Sequence, residues 1–203
     1  MRPVKKVGKF LLKTENNMQG QSSGDQIKEA IAVLKKGGIV IFPTDTVYGI
    51  GCRFDDKEVI SRLYKIKKTP TGQPFPILVT KLSQVEKLVL INKTAEELIK
   101  KYWPGALTII LKSKNGKEQI GFRMPDSSLV KLLIDGLGEP LIGTSANFHG
   151  SSAPKSYEEL DSAFAKLADF VLKGECQLGV ESTVVDATSD VPKILRQGAI
   201  KIQ

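Results

Sequence analysis

The residues of this chain best suited to chemistry are small hydroxyls, a few cations and an amide, placed where apolar runs end. They are Thr44, Thr46, Lys67, Arg123, Ser145, Asn147, Ser182 and Arg196. Such groups hold anions and nucleotides by charge-assisted hydrogen bonds and need no covalent intermediate. Each also has a bland reading taken singly: hydroxyls cap turns, arginines snorkel, and lysines at a helix C-terminus complement its dipole. Other chemistries lack their parts. No G-x-x-x-x-G-K-[ST] loop is present, and Gly49-Ile50-Gly51 lacks the third glycine of a dinucleotide fingerprint. Ser145 sits in Gly143-Thr144-Ser145-Ala146-Asn147, which is not a nucleophile elbow, and the single histidine, His149, reads as an ordinary surface residue. The residues predict no protein-held metal.

The elements that must position these groups begin with Gly38-Ile39-Val40-Ile41-Phe42-Pro43, a buried-strand pattern that stops at a proline and gives way to Thr44, Asp45, Thr46 and Tyr48. It reads as a strand delivering a polar site, or as a strand ending in a turn without a ligand. Pro140-Leu141-Ile142-Gly143 runs into hydroxyls in the same way. Ser23 with Gln26 and the spacing Ile27, Ala30, Ile31, Leu34 predict a helix after a loop over 16–24. Asp55 or Asp56 caps a second helix that carries Lys65, Lys67 and Lys68 near its end. Ser83/Glu86 and Thr94/Glu97 predict two more helices. Residues 106–111 and 119–123 predict an antiparallel hairpin, Ser127 to Leu137 a helix, and Ser156 with Glu159 a long helix containing Leu160, Phe164 and Leu167. Short strands are expected at 9–12, 77–79, 169–172, 183–186 and 193–196. The fold class is α/β (α+β mixed), with a mixed twisted sheet.

At 203 residues with no repeat or linker, one domain over 1–203 is expected, with 1–24 a leader, first strand and loop. Residues 1–13 hold five basic and no acidic side chains, a transit-like feature read here as a basic leader. No apolar run nears the ~20 residues of a membrane-spanning helix. A net charge of +8 favours an anionic partner, though solvated lysines alone would give it. Cys52 and Cys176 are too few for a disulfide framework and suit a reducing, cytoplasmic setting.

Five ordered segments go further: Phe42-Pro43-Thr44-Asp45-Thr46-Val47-Tyr48-Gly49, Tyr102 to Thr108, Gly121-Phe122-Arg123-Met124-Pro125, Gly143 to Asn147, and Gly179 to Asp186, with Ile194-Leu195-Arg196-Gln197-Gly198 completing the pattern. Together they resemble the YrdC/Sua5 family, the L-threonylcarbamoyladenylate synthases. The resemblance implies a YrdC-like twisted open sheet flanked by helices, with a concave basic cavity and without the extra C-terminal domain of longer members. It implies a nucleotidyltransferase that makes threonylcarbamoyl-AMP and pyrophosphate from L-threonine, bicarbonate and ATP for the t6A modification of tRNA. Mg²⁺ would arrive with ATP, a protein partner would take up the product, and contact with tRNA or double-stranded RNA is admitted. Carried over by motif, Thr44, Tyr48, Arg123 and Ser182 surround threonine and carbamate. Lys67, Ser145 and Asn147 are the catalytic set, and with Ser182 and Arg196 they hold the nucleotide. Asp45, Gly49 and Trp103 take structural roles: a turn-capping carboxylate, a close-approach or positive-φ glycine, and a core aromatic.

The chain departs from the family's K-x-R…S-x-N signature at Thr69, which stands where arginine belongs. A hydroxyl lacks the charge and the planar fork of a guanidinium, leaving Lys65 or Lys68 as substitute point charges. The alternative is a non-catalytic or altered paralogue that binds nucleotide or RNA. A carbamoyl-transfer role, as in hydrogenase maturation, lacks its accompanying segments.

Overall fold

A computed structural model describes residues 22–70 and 72–202. The expected strand at 9–12 and the basic leader lie outside them. The elements in order are α1 (Ser23–Lys35), β1 (Val40–Pro43), β2 (Tyr48–Arg53), α2 (Lys57–Lys67), β3 (Ile77–Leu78), α3 (Leu82–Glu86), β4 (Val89–Leu90), α4 (Lys93–Tyr102), β5 (Leu107–Ser113), β6 (Gln119–Arg123), α5 (Ser128–Leu137), β7 (Leu141–Ser145), α6 (Ser162–Ala165), β8 (Phe170–Val171), β9 (Thr183–Asp186) and β10 (Lys193–Arg196). The strands form one mixed sheet in the order β10-β9-β5-β6-β3-β7-β2-β1-β8, with β4 beside β5.

Side chains alternate across this sheet, so each strand feeds two cores. In β1, Ile41 joins one core, while Val40 and Phe42 join the other with Ala30 and Leu34 of α1 and Val130, Leu133 and Ile134 of α5. Leu107, Ile109 and Leu111 of β5 belong to the first core. Their neighbours Thr108 and Ile110 face the opposite side, beyond the cover of α1 and α5. That uncovered stretch becomes the floor of a cleft.

Several local expectations are corrected. Ser22, not Ser23, caps α1 by accepting from the Asp25 amide; Gln26 is buried and accepts from the Lys173 amide instead. The loop expected over 16–24 therefore gives way to helix at Ser23. Asp56 caps α2 as one of the two expected residues. At α3, Gln84 reaches back to the Thr80 and Lys81 amides, and at α4 the cap is Asn92. The long helix expected from Ser156 is absent. Just before it, Pro154 O accepts from Tyr48 N; the Glu159 side chain accepts from the Lys155 amide; and Asp161 caps only the four-residue α6.

The first polar stretch is a hairpin loop, because β2 returns antiparallel to β1, pairing Val40 with Gly51 and Pro43 with Tyr48. β2 then pairs with β7, setting Gly49 opposite Ser145. Both hydroxyl-rich strand ends thus arrive side by side. Close approach demands a glycine at Gly51, where a Cβ would lie 2.0 Å from the Ile142 carbonyl oxygen.

Candidate active site

A cleft of about 640 Å³ opens over the uncovered half of the sheet. Its lining comes from every strand around it: Thr44, Thr46, Tyr48 and Gly49 from the first hairpin, Thr108 and Ile110 from β5, Arg123 from β6, Thr144 and Ser145 from β7, and Glu181, Ser182 and Arg196 from the β9–β10 side. Of the residues predicted from sequence, Thr44, Thr46, Tyr48, Arg123, Ser145, Ser182 and Arg196 line it. Lys67 and Asn147 do not.

Within the hairpin loop the hydroxyl of Thr44 donates to Val47 O at 2.8 Å and accepts from the Thr46 amide at 3.1 Å. Its one proton is therefore engaged, so the 2.9 Å contact between the two threonine hydroxyls must run from Thr46 to Thr44. Thr46 then accepts from Arg123 Nη1 at 2.8 Å. The Tyr48 hydroxyl is also engaged, donating to Gly174 O at 2.6 Å and accepting from Gly174 N at 3.0 Å. Burial pushes the Tyr48 pKa up to about 12, against the lowering effect of Gly174. Thr44 and Tyr48 thus shape the wall while their hydroxyls tie the backbone together.

Arg123 is buried in that wall. Nε donates to Gly105 O at 3.1 Å and Nη2 to Asp45 Oδ1 at 2.5 Å. Burial pushes its pKa below the ordinary arginine value; Asp45 opposes this, and the nearby positive charge of Arg196 adds to it. Asp45 is therefore the partner of a buried ion pair and not the turn cap expected from sequence. Gly49 has no positive φ, and a Cβ there would meet ordinary contacts from 3.4 Å. Trp103 packs half-buried on the core and donates Nε1–H to Leu107 O.

On the opposite wall Arg196 wraps Ser182. Nε and Nη2 donate to its carbonyl at 3.2 and 2.9 Å, while Nη1 pairs with Glu181 at 2.8 Å. The Ser182 hydroxyl lies 2.9 Å from that of Thr108. Beneath the cleft, Lys67 ends α2 pointing inward. Its Nζ donates to Ser145 O at 2.5 Å and Asn147 O at 2.8 Å, so it braces the strand end that carries Ser145. Burial lowers its pKa to about 8, with Glu181 opposing. The Asn147 amide donates to Phe148 O and Ser151 O, which directs it into its own loop. The expectation that the lysines merely suit the helix dipole fits exposed Lys65 but not Lys67. His149 is exposed, as expected.

Sequence reasoning missed the site roles of Asp45, Thr108 and Glu181. All three lie inside the quoted motifs, but their partners, Arg123, Ser182 and Arg196, stand 78, 74 and 15 residues away in the chain. Among the described residues no three His, Cys, Asp or Glu side chains gather as a metal site. Glu181 supplies a carboxylate at the rim, a donor set that suits a cation arriving on phosphates rather than a resident one.

The family model Sua5/YciO/YrdC, described as telomere recombination, matches residues 32–198. The threonylcarbamoyl-AMP synthase of Bacillus subtilis (strain 168) is 36% identical over 189 residues, covering 86% of this chain and 54% of that protein. The chain thus spans about half the length of that relative. The uncharacterized protein YciO of Escherichia coli (strain K12) is 31% identical over 182 residues, covering 85% of this chain and 88% of that one. Among solved structures, P. abyssi Sua5 complexed with L-threonine superposes with a TM-score of 0.73 at 32% identity, over 85% of this chain and 54% of that one. The motifs, the fold and these likenesses agree: the chain belongs to the Sua5/YciO/YrdC family.

Proposed function

We propose that this protein is a threonylcarbamoyl-AMP synthase. The observation that carries the reading is the meeting of Arg123 and Arg196 on one cleft, where an anionic substrate would lie between a buried and a rim guanidinium. The synthase relative and the threonine-bound Sua5 structure support it. In the reaction, the threonine amine attacks CO₂ from bicarbonate and loses a proton to give a carbamate. A carbamate oxygen then attacks the α-phosphorus of ATP, and pyrophosphate leaves. No protein nucleophile takes part, so the protein aligns reactants and offsets phosphate charge, contributions that reach ~7–11 kcal/mol for alignment in favourable cases. Mg²⁺ enters on the ATP phosphates. Arg123 serves the threonine and carbamate end, and Arg196, Ser182 and Ser145 the nucleotide. Lys67 and Asn147 serve by holding the strand end at Ser145. A transfer protein and tRNA consume the product in the cytoplasm; among the described residues no helix is long and apolar enough to cross a membrane.

Pyrophosphate release from Mg·ATP by purified protein tests this, with threonine and bicarbonate supplied together or omitted singly. Release should require both, and Arg196→Ala should lower it tenfold or more, the loss of one charge-assisted contact of ~1.5–3 kcal/mol. Release indifferent to threonine and bicarbonate would reject the synthase.

One observation favours a second reading, the altered paralogue. Thr69 replaces the family arginine, and its buried hydroxyl oxygen has no hydrogen-bond partner. A Thr69→Arg variant separates the two. A large gain in synthesis would show that the missing guanidinium limits the natural chain, and RNA binding that weakens with salt, without any synthesis, would establish the paralogue.

A further inference from the structure

Arg123 carries five N–H donors, and the protein engages one on each of its three nitrogens: Nε with Gly105 O, Nη1 with Thr46 Oγ1 and Nη2 with Asp45 Oδ1. Three anchors on a planar group fix both its position and its rotation. Two N–H bonds remain, one on each terminal nitrogen, and Arg123 lines the cleft.

The partners are arranged to leave those two bonds available. Asp45, with 2% of its side chain exposed, grips the guanidinium through one oxygen only, and its buried Oδ2 has no partner. A pair built for stability alone would close as a bidentate fork and satisfy both oxygens. Thr46 is oriented in turn. Because Thr44 gives its proton to Val47 O, Thr46 must donate to Thr44, which leaves the Thr46 oxygen facing Arg123 as an acceptor. The loop sequence thereby dictates the direction of every proton up to the guanidinium.

We infer that Asp45 and Thr46 are positioning residues that hold Arg123 with its two remaining donors ready for the anionic end of the amino-acid substrate. The substrate assignment rests on the synthase reading; the anchoring of Arg123 does not. Neither residue needs to touch substrate, and both act through Arg123.

Two measurements on Asp45→Asn and Thr46→Val test this. In ¹⁵N spectra of the arginine side chains at low temperature, wild-type Arg123 should give separately resolved terminal N–H signals, because rotation about Cζ–N is hindered. In each variant they should coalesce. In pyrophosphate-release kinetics the KM for threonine should rise at least tenfold in Asp45→Asn and at least threefold in Thr46→Val, with the KM for ATP within twofold of wild type. Should Asp45→Asn fail to fold, Thr46→Val, which keeps shape and loses the acceptor, decides alone. Signals that stay resolved overturn the proposal, whatever the kinetics. Coalescence with an unchanged threonine KM overturns it too, since the orientation of Arg123 would then be irrelevant to substrate. If the wild type releases no threonine-dependent pyrophosphate, the synthase reading fails, and the spectra alone uphold or reject the anchoring.

Discussion

Lys67 brings an ammonium to a position only 4% exposed and offsets the lost hydration with carbonyl oxygens from Ser145 and Asn147. Burial still lowers its pKa from 10.5 to about 8. Between those values the unfolded chain binds the extra proton and the native state does not, so the contribution of this group to stability rises with pH from about 8 to 10.5. Cys52 and Tyr48, each pushed up to about 12 by burial, act oppositely once their unfolded forms ionise. The Lys67 effect is therefore expected as the difference between wild type and Lys67→Met in denaturant titrations. The wild type should gain on the order of 1–3 kcal/mol relative to the variant from pH 8 to 10.5. A difference independent of pH would mean that Lys67 ionises normally in the folded protein. The same residue marks the limit of reading the site from sequence. Arginines and hydroxyls at strand ends were legible as a group, whereas the inward turn of Lys67 and the engagement of the Thr44 and Tyr48 hydroxyls depend on partners 78, 80 and 126 residues away or on proton direction.

At the level of elements, the β9–β10 hairpin places Arg196, and a glycine permits it. A Cβ on Gly198 would lie 2.3 Å from the Glu181 carbonyl oxygen and 2.5 Å from that of Ser182, while its own amide donates to Thr183 Oγ1 at 2.9 Å. These neighbours are backbone and cannot swing aside. Gly198→Ala is expected to push the strand end away from Ser182, costing roughly 1–3 kcal/mol of stability and weakening ATP at least tenfold while threonine changes less. Calorimetric titration with each ligand checks this, and equal losses for both would indicate general damage instead of a moved Arg196. The strands β1, β5 and β7 were legible because burial wrote them as apolar runs, and β6 because the Lys114-Asn115-Gly116-Lys117 turn marks a hairpin with β5. β2 was not, because Gly49 and Gly51 dilute its pattern, Gly51 being the one that close strand approach requires. The spurious helix after Ser156 arose from a capping pattern that does not close: the Glu159 side chain accepts from the Lys155 amide, and β2 holds the Pro154 carbonyl just upstream.

For the molecule as a whole, the cleft belongs to no single half of the sheet. Its walls run from the first hairpin through β7, β6 and β5 to β10, and β5 pairs with both β6 and β9, so the two ends share hydrogen-bonded strands. Opening either end would unpair strands that bury the common core. Unfolding of this 203-residue chain should therefore be one cooperative transition, with ligands at the cleft stabilising all of it. A ligand at a hundred times its Kd adds about 2.7 kcal/mol, which for a domain of this size raises Tm by roughly 5–10 °C. Scanning calorimetry with Mg·ATP and threonine, alone and together, is expected to move a single peak. The shift from ATP should shrink with added salt, because the attraction of phosphate to the solvent-accessible Arg196 at the rim is screened. Two peaks of which ligand moves only one would show that the β9–β10 side folds independently, and that the two arginines meet only when the halves dock.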